Sequence, residues 1–586
     1  MLARMTCESF ETGGTLIESS VGVGLAWVCH KDSFADCLPI WNETRDVCLV
    51  FSGEEFRDPP AIAALAAKGY RFSPGNAEYL VHLYEEHGVD FLDRLNGTFS
   101  GVLVDLRNKR VVLFNDRYGL GRVYYHESPD GFYFASEAKP LLKVLPGLRQ
   151  LDPQGLGEWF SCGCVLQNRS LFSGISILPG GSAWTFSRDG KREKRCYFKP
   201  NTWESQPPLG AEEYYEHLRD TFPRVLKRYL RASQPIGMSL TGGLDGRMIM
   251  AWADSKPGEL PCYTFNGPYH DCLDFRIGRR VAAACRQPYH VIQVDHRFLK
   301  DFPSLAEKAI LVSDGEMDVT GAVELYVNWL AREIAPIRLT GNYGSEIIRS
   351  NVAFGPGRLS SDLFSPELAE AIDQATTTYL TERESSRLAF IAFKQVPWHH
   401  HARLSVEQSQ ITMRSPFLDN DIVSLVFRAP ASLRVAAEPS LRLIAAGRPG
   451  LFRIPTDRGV VYPPVPFVTP LRRQFEEFMA KVEYASDYGM PQRFAAVAGP
   501  LLPRWAERLF LGRQKFYHFR TWYRRELASY VREILLDPRT LGRSWYRDRS
   551  IERLVQGHTS GKRNYTQEIH KVLSLELIQR NLTDQS

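Results

Sequence analysis

Short apolar or alternating runs separated by turn residues fill the chain from Val21 to about Tyr197. β-Branched and aromatic residues in such runs are typical of strands. The predicted strands are 47–51, 101–105, 111–114, 123–125 and 131–135, and the predicted helices are 77–86 and 138–144. The first region is therefore predicted to be an α+β domain with a largely antiparallel sheet.

The pattern changes after the segment 199–210, which has the composition of a linker. A helical pattern begins at Ala211, and strands then alternate with helices. The predicted strands here are 236–240, 262–265, 291–294 and 337–340. This order predicts an α/β domain with a parallel sheet covered on both faces. We place the boundary between residues 205 and 206, and we expect residues 501–582 to be helical.

Composition narrows the class of protein. A hydrophobic fraction of 44% and a charged fraction of 24% are typical of globular chains, and no run is long and apolar enough to cross a bilayer. The net charge of +5 is small for 586 residues, so we expect neither nucleic acid nor a membrane as partner. The N-terminus carries no apolar run of signal-peptide length, which predicts a cytoplasmic protein with ten reduced cysteines. The basic, aromatic segment 516–525 is interpreted as a packed helix face.

The segment from Ser239 to Arg247 is the strongest chemical signal. It combines the end of a strand, the pair Gly242-Gly243 and the start of a helix near Asp245. Adjacent glycines let backbone amides face an anion at close range, and the helix N-terminus adds its positive dipole end. The segment predicts a phosphate site, although a tight connection in an α/β unit stays open from these residues alone.

Motifs in both regions resemble the asparagine synthetase family. Residues 80–99, 115–119 and 134–139 are similar to its glutaminase domain, residues 241–246 to its pyrophosphate loop, residues 341–346 to its second active-site loop and residues 414–419 to a further signature. The resemblance implies an Ntn-hydrolase-like, class II glutamine amidotransferase-like domain over 1–205. It also implies an ATP-pyrophosphatase domain, of the adenine nucleotide α-hydrolase-like fold, over 206–586.

The resemblance also implies a site that uses ATP and Mg²⁺. The residues that it implies for nucleotide binding are Ser239, Thr241, Gly242, Gly243, Asp245, Gly246, Phe265 and Gly341. Asp245 and Glu346 are the implied ligands of Mg²⁺, which would neutralise phosphate charge.

Two further residues have implied catalytic roles. Tyr343 takes a position where β-lactam synthetases have a tyrosine that resembles a base, and an aromatic wall of the pocket is the equal alternative. Glu382, Glu384 and Glu407 are candidate partners for a tyrosine base, and their spacing does not choose among them. Arg458 falls where the family carries a lysine that stabilises the adenylate, and a surface arginine is the alternative.

The first region departs from the glutamine-hydrolysing members. Position 2 is Leu2 instead of the nucleophilic cysteine, and Cys7 would have a free amine only after removal of six residues. The family's substrate loops are replaced by Ser52-Gly53-Glu54 and by residues 75–78, where Asn76 removes a carboxylate that would pair with the ammonium group of glutamine. We therefore expect no glutamine hydrolysis.

The chain is predicted to be an ATP-dependent, AMP-forming amide ligase that adenylates a carboxylate and couples it to an amine. Ring closure within one molecule, as in β-lactam synthetases or lasso-peptide cyclases, stays open. The alternatives are ammonia-dependent amidation of a small acid and a catalytically silent nucleotide-binding homologue. We expect a small-molecule or peptide substrate, and a homodimer or a pathway partner protein stays open.

Overall fold

The computed structural model describes residues 1–73, 75–357, 359, 362–461, 467–484, 487, 512–514 and 517–584. Residues 501–511, 515 and 516, part of two predicted helical segments, lie outside the described residues. Among the described residues, no helix combines the length and the apolar character needed to span a bilayer.

The N-terminal part is built on antiparallel strands. Its strands are β1 (Glu11–Glu18), β2 (Val23–His30), β3 (Ile40–Trp41), β4 (Val47–Glu55), β5 (Gly97–Asp105), β6 (Arg110–Asn115), β7 (Tyr124–Ser128), β8 (Gly131–Ala135), β9 (Ser176–Ile177), β10 (Ser182–Ser187) and β11 (Arg192–Cys196). They form a sheet of order β11-β10-β6-β5-β4-β3, a sheet of order β8-β7-β9 and the pair β1-β2, all antiparallel. The predicted antiparallel α+β region is confirmed.

Helices of the N-terminal part cover the sheets and lead into the second part. They are α1 (Leu2–Met5), α2 (Pro59–Ala67), α3 (Tyr79–His87), α4 (Ala138–Val144), α5 (Pro153–Cys162) and α6 (Asn201–Glu204). The predicted helix over 138–144 coincides with α4, and the predicted helix over 77–86 begins two residues before α3.

The second part contains a parallel sheet. Its strands are β12 (Ile236–Ser239), β13 (Cys262–Asn266), β14 (Tyr289–Gln293), β15 (Ile337–Thr340) and β16 (Thr412–Arg414), in the order β14-β13-β12-β15-β16. All four pairings are parallel, which confirms the predicted sheet. The order reverses direction at β12, and such a switch point leaves a crevice at the carboxyl ends of the strands.

Helices separate these strands and form the C-terminal part. They are α7 (Ala211–Tyr229), α8 (Leu244–Trp252), α9 (Leu273–Ala284), α10 (His296–Val312), α11 (Gly321–Arg332), α12 (Gly344–Arg349), α13 (Pro366–Glu382), α14 (Arg387–Phe390), a π-helix (Ile391–His400), α15 (His401–Gln408), α16 (Asn420–Phe427), α17 (Glu438–Gly447), α18 (Pro449–Phe452), α19 (Val468–Tyr484), α20 (Phe519–Arg524), α21 (Ala528–Leu535), α22 (Pro538–Leu541), α23 (Ser550–Thr559) and α24 (Thr566–Ile578). The helix predicted from Ala211 begins at that residue.

The two parts share their apolar cores. One buried cluster joins Phe56 and Phe198 to Met238 and Phe417. A second cluster joins the N-terminal Trp159 to helices α10 and α20. The boundary between residues 205 and 206 stays a prediction, because the cores run across it.

Buried ion pairs also cross between the two parts. Arg414 of β16 donates from Nε and Nη2 to the two carboxylate oxygens of Glu54 in β4, at 2.8 and 2.6 Å. Arg122 pairs with Glu316. Both pairs are largely excluded from solvent, so each carboxylate depends on its arginine for charge compensation.

Candidate nucleotide site

A cavity of about 310 Å³ lies at the carboxyl ends of β12, β13 and β15. It is lined by nine of the eleven predicted site residues: Ser239, Thr241, Gly243, Asp245, Gly246, Phe265, Gly341, Tyr343 and Glu346. Gly242 and Arg458 are not part of its lining. The motifs that lie about a hundred residues apart in the chain therefore converge on one cavity.

The glycine turn joins β12 to α8, and Gly243 is the N-cap residue of that helix. One amide of the turn is already bonded, because Gly242 N–H donates to Oδ1 of Asp274 at 2.8 Å. The turn also accepts a 3.4 Å hydrogen bond from the N–H of Asp457 at Gly242 O. The carboxylate of Asp274 thus occupies an amide that could otherwise face a phosphate oxygen.

The two active-site loops pack directly on each other. A Cβ atom on Gly344 would lie 2.6 Å from Cγ of Asp245, so only glycine permits this approach. Burial raises the pKa of the Asp245 carboxyl, the nearby Glu346 adds to the rise, and Arg349 opposes it. Asp245 and Glu346 are therefore close enough to repel each other when both are ionised.

Asp245 is paired with an arginine that the motif analysis did not single out. Arg349, at the end of α12, places Nη1 at 2.8 Å from Oδ1 and Nη2 at 2.9 Å from Oδ2 of Asp245. Oδ1 is shielded from solvent. Arg349 Nη1 also donates to Oγ of Ser440 at 3.1 Å. Both oxygens of Asp245 thus face a guanidinium group.

This pairing decides whether the residues fit the implied Mg²⁺. A hard divalent cation needs open carboxylate oxygens. Both oxygens of Asp245 lie within 2.9 Å of the Arg349 guanidinium, although its buried Oδ1 accepts no hydrogen bond, so the nearest positive charge is already in place. Glu346 Oε2 accepts a hydrogen bond from the Ser345 hydroxyl at 2.7 Å. The arrangement does not fit a Mg²⁺ ion held by Asp245 and Glu346.

Tyr343 forms a buried wall of the cavity. It is only 4% exposed and precedes α12 in a left-handed conformation, with φ of 68°. Burial raises the pKa of its phenol, and the carboxylates of Glu407 and Glu346 raise it further. The phenol therefore stays protonated at neutral pH, which favours the aromatic wall over the base.

The three candidate partners of Tyr343 lie in different places. Glu407 lines the cavity. Glu382 forms an ion pair with Lys394 at 2.8 Å, and Glu384 is exposed. Only Glu407 is close enough to influence the phenol, and it does so by raising the pKa.

The structure does not bring Arg458 to the cavity. Its side chain is 47% exposed and lies 3.5 Å from the carboxylate of Asp457. The surface-arginine alternative agrees with this position. Position in the sequence alone could not tell which side chain of this turn faces Gly242.

Several cavity residues had no motif to reveal them. The π-helix and α15 supply His400, Arg403 and Glu407, β15 supplies Arg338, and α11 supplies Glu324. Arg403 bridges Glu324 and Glu407 at 3.0 Å each, and Arg338 lies 3.2 Å from Glu407. The available signal was the run of three histidines at 399–401 beside Arg403.

His400 closes one side of the cavity as a neutral ring. Burial, aided by Arg403, lowers its pKa to about 4. Its ring packs edge-on against Tyr343 with centroids 5.4 Å apart. The π-helix that ends at His400 is a rare conformation that is frequent at functional sites.

Comparison with known proteins finds similarity over part of the chain. Residues 12–198 match a glutamine amidotransferase domain. The chain is 24% identical over 277 residues to asparagine synthetase [glutamine-hydrolyzing] 1 of Bacillus subtilis, covering 47% of this chain and 43% of that protein. It is 28% identical over 254 residues to asparagine synthetase [glutamine-hydrolyzing] 3 of Arabidopsis thaliana, covering 42% and 38%. Over these partial lengths the chain is similar to asparagine synthetases.

Another relative is amidase chyE of Penicillium rubens, 24% identical over 293 residues and covering 44% of this chain and 41% of that protein. The chain thus spans about two-fifths of the length of the relatives that it matches. A solved glutamine phosphoribosylpyrophosphate amidotransferase from B. subtilis matches 63% of this chain and 82% of its own, at 11% identity. The TM-score of this match is 0.24.

The N-terminal part contributes to a second chamber, of about 280 Å³. Cys7 and the segment Ser52–Glu54 line it, together with residues of α15 and β16. The Cys7 N–H donates to Glu11 at 2.7 Å, and burial raises the pKa of the Cys7 thiol. Glu54 is held by Arg414, and Asn76 accepts the N–H of Glu78 at 3.1 Å outside the chamber.

Proposed function

We propose that this protein is an ATP-dependent, AMP-forming amide ligase that activates a carboxylate as its adenylate and passes the acyl group to an amine. The observation that carries the proposal is the cavity in which the glycine turn, the N-terminus of α8 and the second active-site loop meet. Such a cavity at the switch point of a parallel sheet suits a nucleotide.

Different residues of the cavity would contact different parts of the substrates. The N-terminus of α8 and the hydroxyls of Ser239 and Thr241 face the place where phosphate oxygens would lie. Phe265 offers an aromatic surface at another side of the cavity. The network of Glu324, Arg403 and Glu407 supplies polar groups that could orient an acid and an amine. No step is assigned to a metal held by Asp245.

We further propose that the protein does not hydrolyse glutamine. Two features of the chamber support this. The Cys7 nitrogen is a hydrogen-bonded amide beside a thiol whose pKa is raised, whereas a nucleophile with its own amine as base needs both groups free. Glu54 is committed to Arg414. The nitrogen would then come from an amine substrate or from ammonia.

Pyrophosphate release tests the ligase proposal. We expect the full-length protein to release pyrophosphate from ATP in the presence of the correct acid from a panel of amino acids, small acids and peptides. Asp245→Asn should reduce the rate at least 100-fold, because it removes the charge that orders Arg349 beside the glycine turn. Asp254→Asn, at an exposed position past the end of α8, is the matched control.

The nitrogen source is tested in the same assay. Amide formation with a primary amine or with ammonium chloride, and none with glutamine, is the expected result. Product with ammonium alone would favour the ammonia-dependent amidase. Hydrolysis of glutamine by the unmodified chain would contradict the proposal.

A catalytically silent homologue is the second candidate function. It is favoured by two internal pairs, because Asp274 occupies the amide of Gly242 and Arg349 occupies Asp245. Titration calorimetry with ATP separates the candidates. Nucleotide binding with no pyrophosphate release across the panel would favour the silent protein.

A further inference from the structure

The Arg349–Asp245 pair changes what the phosphate end of the cavity can bind. The pair is bidentate, and its side chains are only 17% and 19% exposed. Arg349 follows Glu346 by three residues on α12, so one helix supplies both the Glu346 carboxylate and the cation that engages Asp245. The charge of Asp245 is therefore compensated within the chain.

We propose that Arg349 takes the place of a protein-bound divalent cation, so that the nucleotide-free protein holds no divalent ion at Asp245 and Glu346. The inference deepens the proposed function and rests on the same cavity. In this arrangement Arg349 is a positioning residue: it fixes the Asp245 carboxylate against α12 and keeps it away from any ion.

The geometry argues against simultaneous occupation. An ion that bridged the two carboxylates would need at least one oxygen of Asp245, and both lie 2.8–2.9 Å from guanidinium nitrogens. Gly344 packs against the same carboxylate. A guanidinium and a divalent cation at this position would also repel each other.

Mn²⁺ binding to the nucleotide-free, full-length protein tests the inference, with free Mn²⁺ measured by electron paramagnetic resonance. We expect the wild-type protein to hold no stoichiometric Mn²⁺ at this site and Asp245→Asn to change nothing. Arg349→Met should create one site at least tenfold tighter than any in the wild type, because it frees the Asp245 carboxylate beside Glu346. The double variant Arg349→Met/Asp245→Asn should lose that site.

Arg539→Met is the matched control, since it removes the same charge from a 65% exposed side chain on α22. It should leave Mn²⁺ binding unchanged. Stoichiometric Mn²⁺ on the wild type that disappears in Asp245→Asn would overturn the inference, and this comparison holds even where Arg349→Met fails to fold. A folded Arg349→Met protein that gains no site would overturn it equally.

The outcome for Mn²⁺ binding can be distinguished from failure of the ligase proposal by measuring ATP binding separately. ATP binding is measured by calorimetry in buffer containing MgCl₂. Absence of nucleotide binding would refute the ligase and leave the Mn²⁺ outcome standing. A resident Mn²⁺ site in a protein that binds ATP would refute the role of Arg349 alone.

Discussion

At the scale of single residues, Tyr343 shows how burial decides between two roles of one side chain. Its phenol has a raised pKa and sits against the neutral ring of His400. A group that holds its proton so firmly is a poor base at neutral pH. Its ring, by contrast, is well placed to confine a ligand in the cavity.

Tyr343→Phe should therefore keep nucleotide affinity, pyrophosphate release and amide formation within about threefold. Tyr343→Ala should weaken ATP binding about tenfold, because it removes the wall. Calorimetry gives the affinity, and chromatography of the products gives the amide. A Phe variant that releases pyrophosphate but forms no amide would restore the role of base.

The site residues on sequence motifs could be predicted, and those on unremarkable helices could not. The tight turns of 241–246 and 341–346 require glycines at fixed positions beside the acidic residues, so a short stretch of sequence is enough to recognise them. Arg349 and Arg338 gain their meaning only from partners that other elements supply. The position of Arg458 could not be inferred, since a turn presents its side chains to either face.

At the scale of elements, the contact between α5 and α13 depends on a close approach of two helices. A Cβ atom on Gly157 of α5 would lie 2.5 Å from the backbone carbon of Ala371 in α13. Alanine is the better helix former by about 1 kcal/mol, but here it would force the helices apart.

Gly157→Ala should lower the free energy of unfolding by about 1–3 kcal/mol despite its helix propensity. Gly450→Ala, in α18, meets no atom within 4 Å and should leave stability unchanged or raise it. Urea unfolding followed by tryptophan fluorescence measures both. Equal effects would show that the α5–α13 distance is not limiting.

Hydrophobic periodicity predicted the strands and helices whose apolar residues recur at regular spacing. The four predicted strands of the parallel sheet and helices α4 and α7 begin within two residues of their predicted starts, whereas the fifth strand, β16, was not predicted. The π-helix Ile391–His400 has no such pattern, because its extra residue per turn is stabilised by surrounding contacts. The hydrophobic pattern therefore did not predict the cavity wall that the π-helix forms.

At the scale of the whole molecule, the Arg122–Glu316 pair couples stability to pH. Burial alone would raise the pKa of Glu316, but Arg122, His401 and Tyr124 together lower it to about 2. The pair stabilises the protein fully above the unfolded pKa of about 4.3, and this contribution is lost as the pH falls towards 2. It amounts to roughly 3 kcal/mol.

Glu316→Gln should thus be about 3 kcal/mol less stable than the wild type at pH 7, and the difference should shrink between pH 5 and pH 3. The exposed Glu384→Gln is the control and should differ little at any pH. Urea midpoints at pH 7, 5, 4 and 3 measure both. A difference that stays constant with pH would show that Glu316 is not ionised in the folded protein.

The bidentate pair between Arg414 and Glu54 bears on what the parallel-sheet part would lose without the N-terminal part. Removing the first two hundred residues would take away the carboxylate that compensates the charge of Arg414 and expose apolar residues of the shared core. The N-terminal part would then be needed for the stability of the parallel-sheet part, whether or not it carries a reaction of its own. The two parts would therefore have to be kept together in any shortened variant.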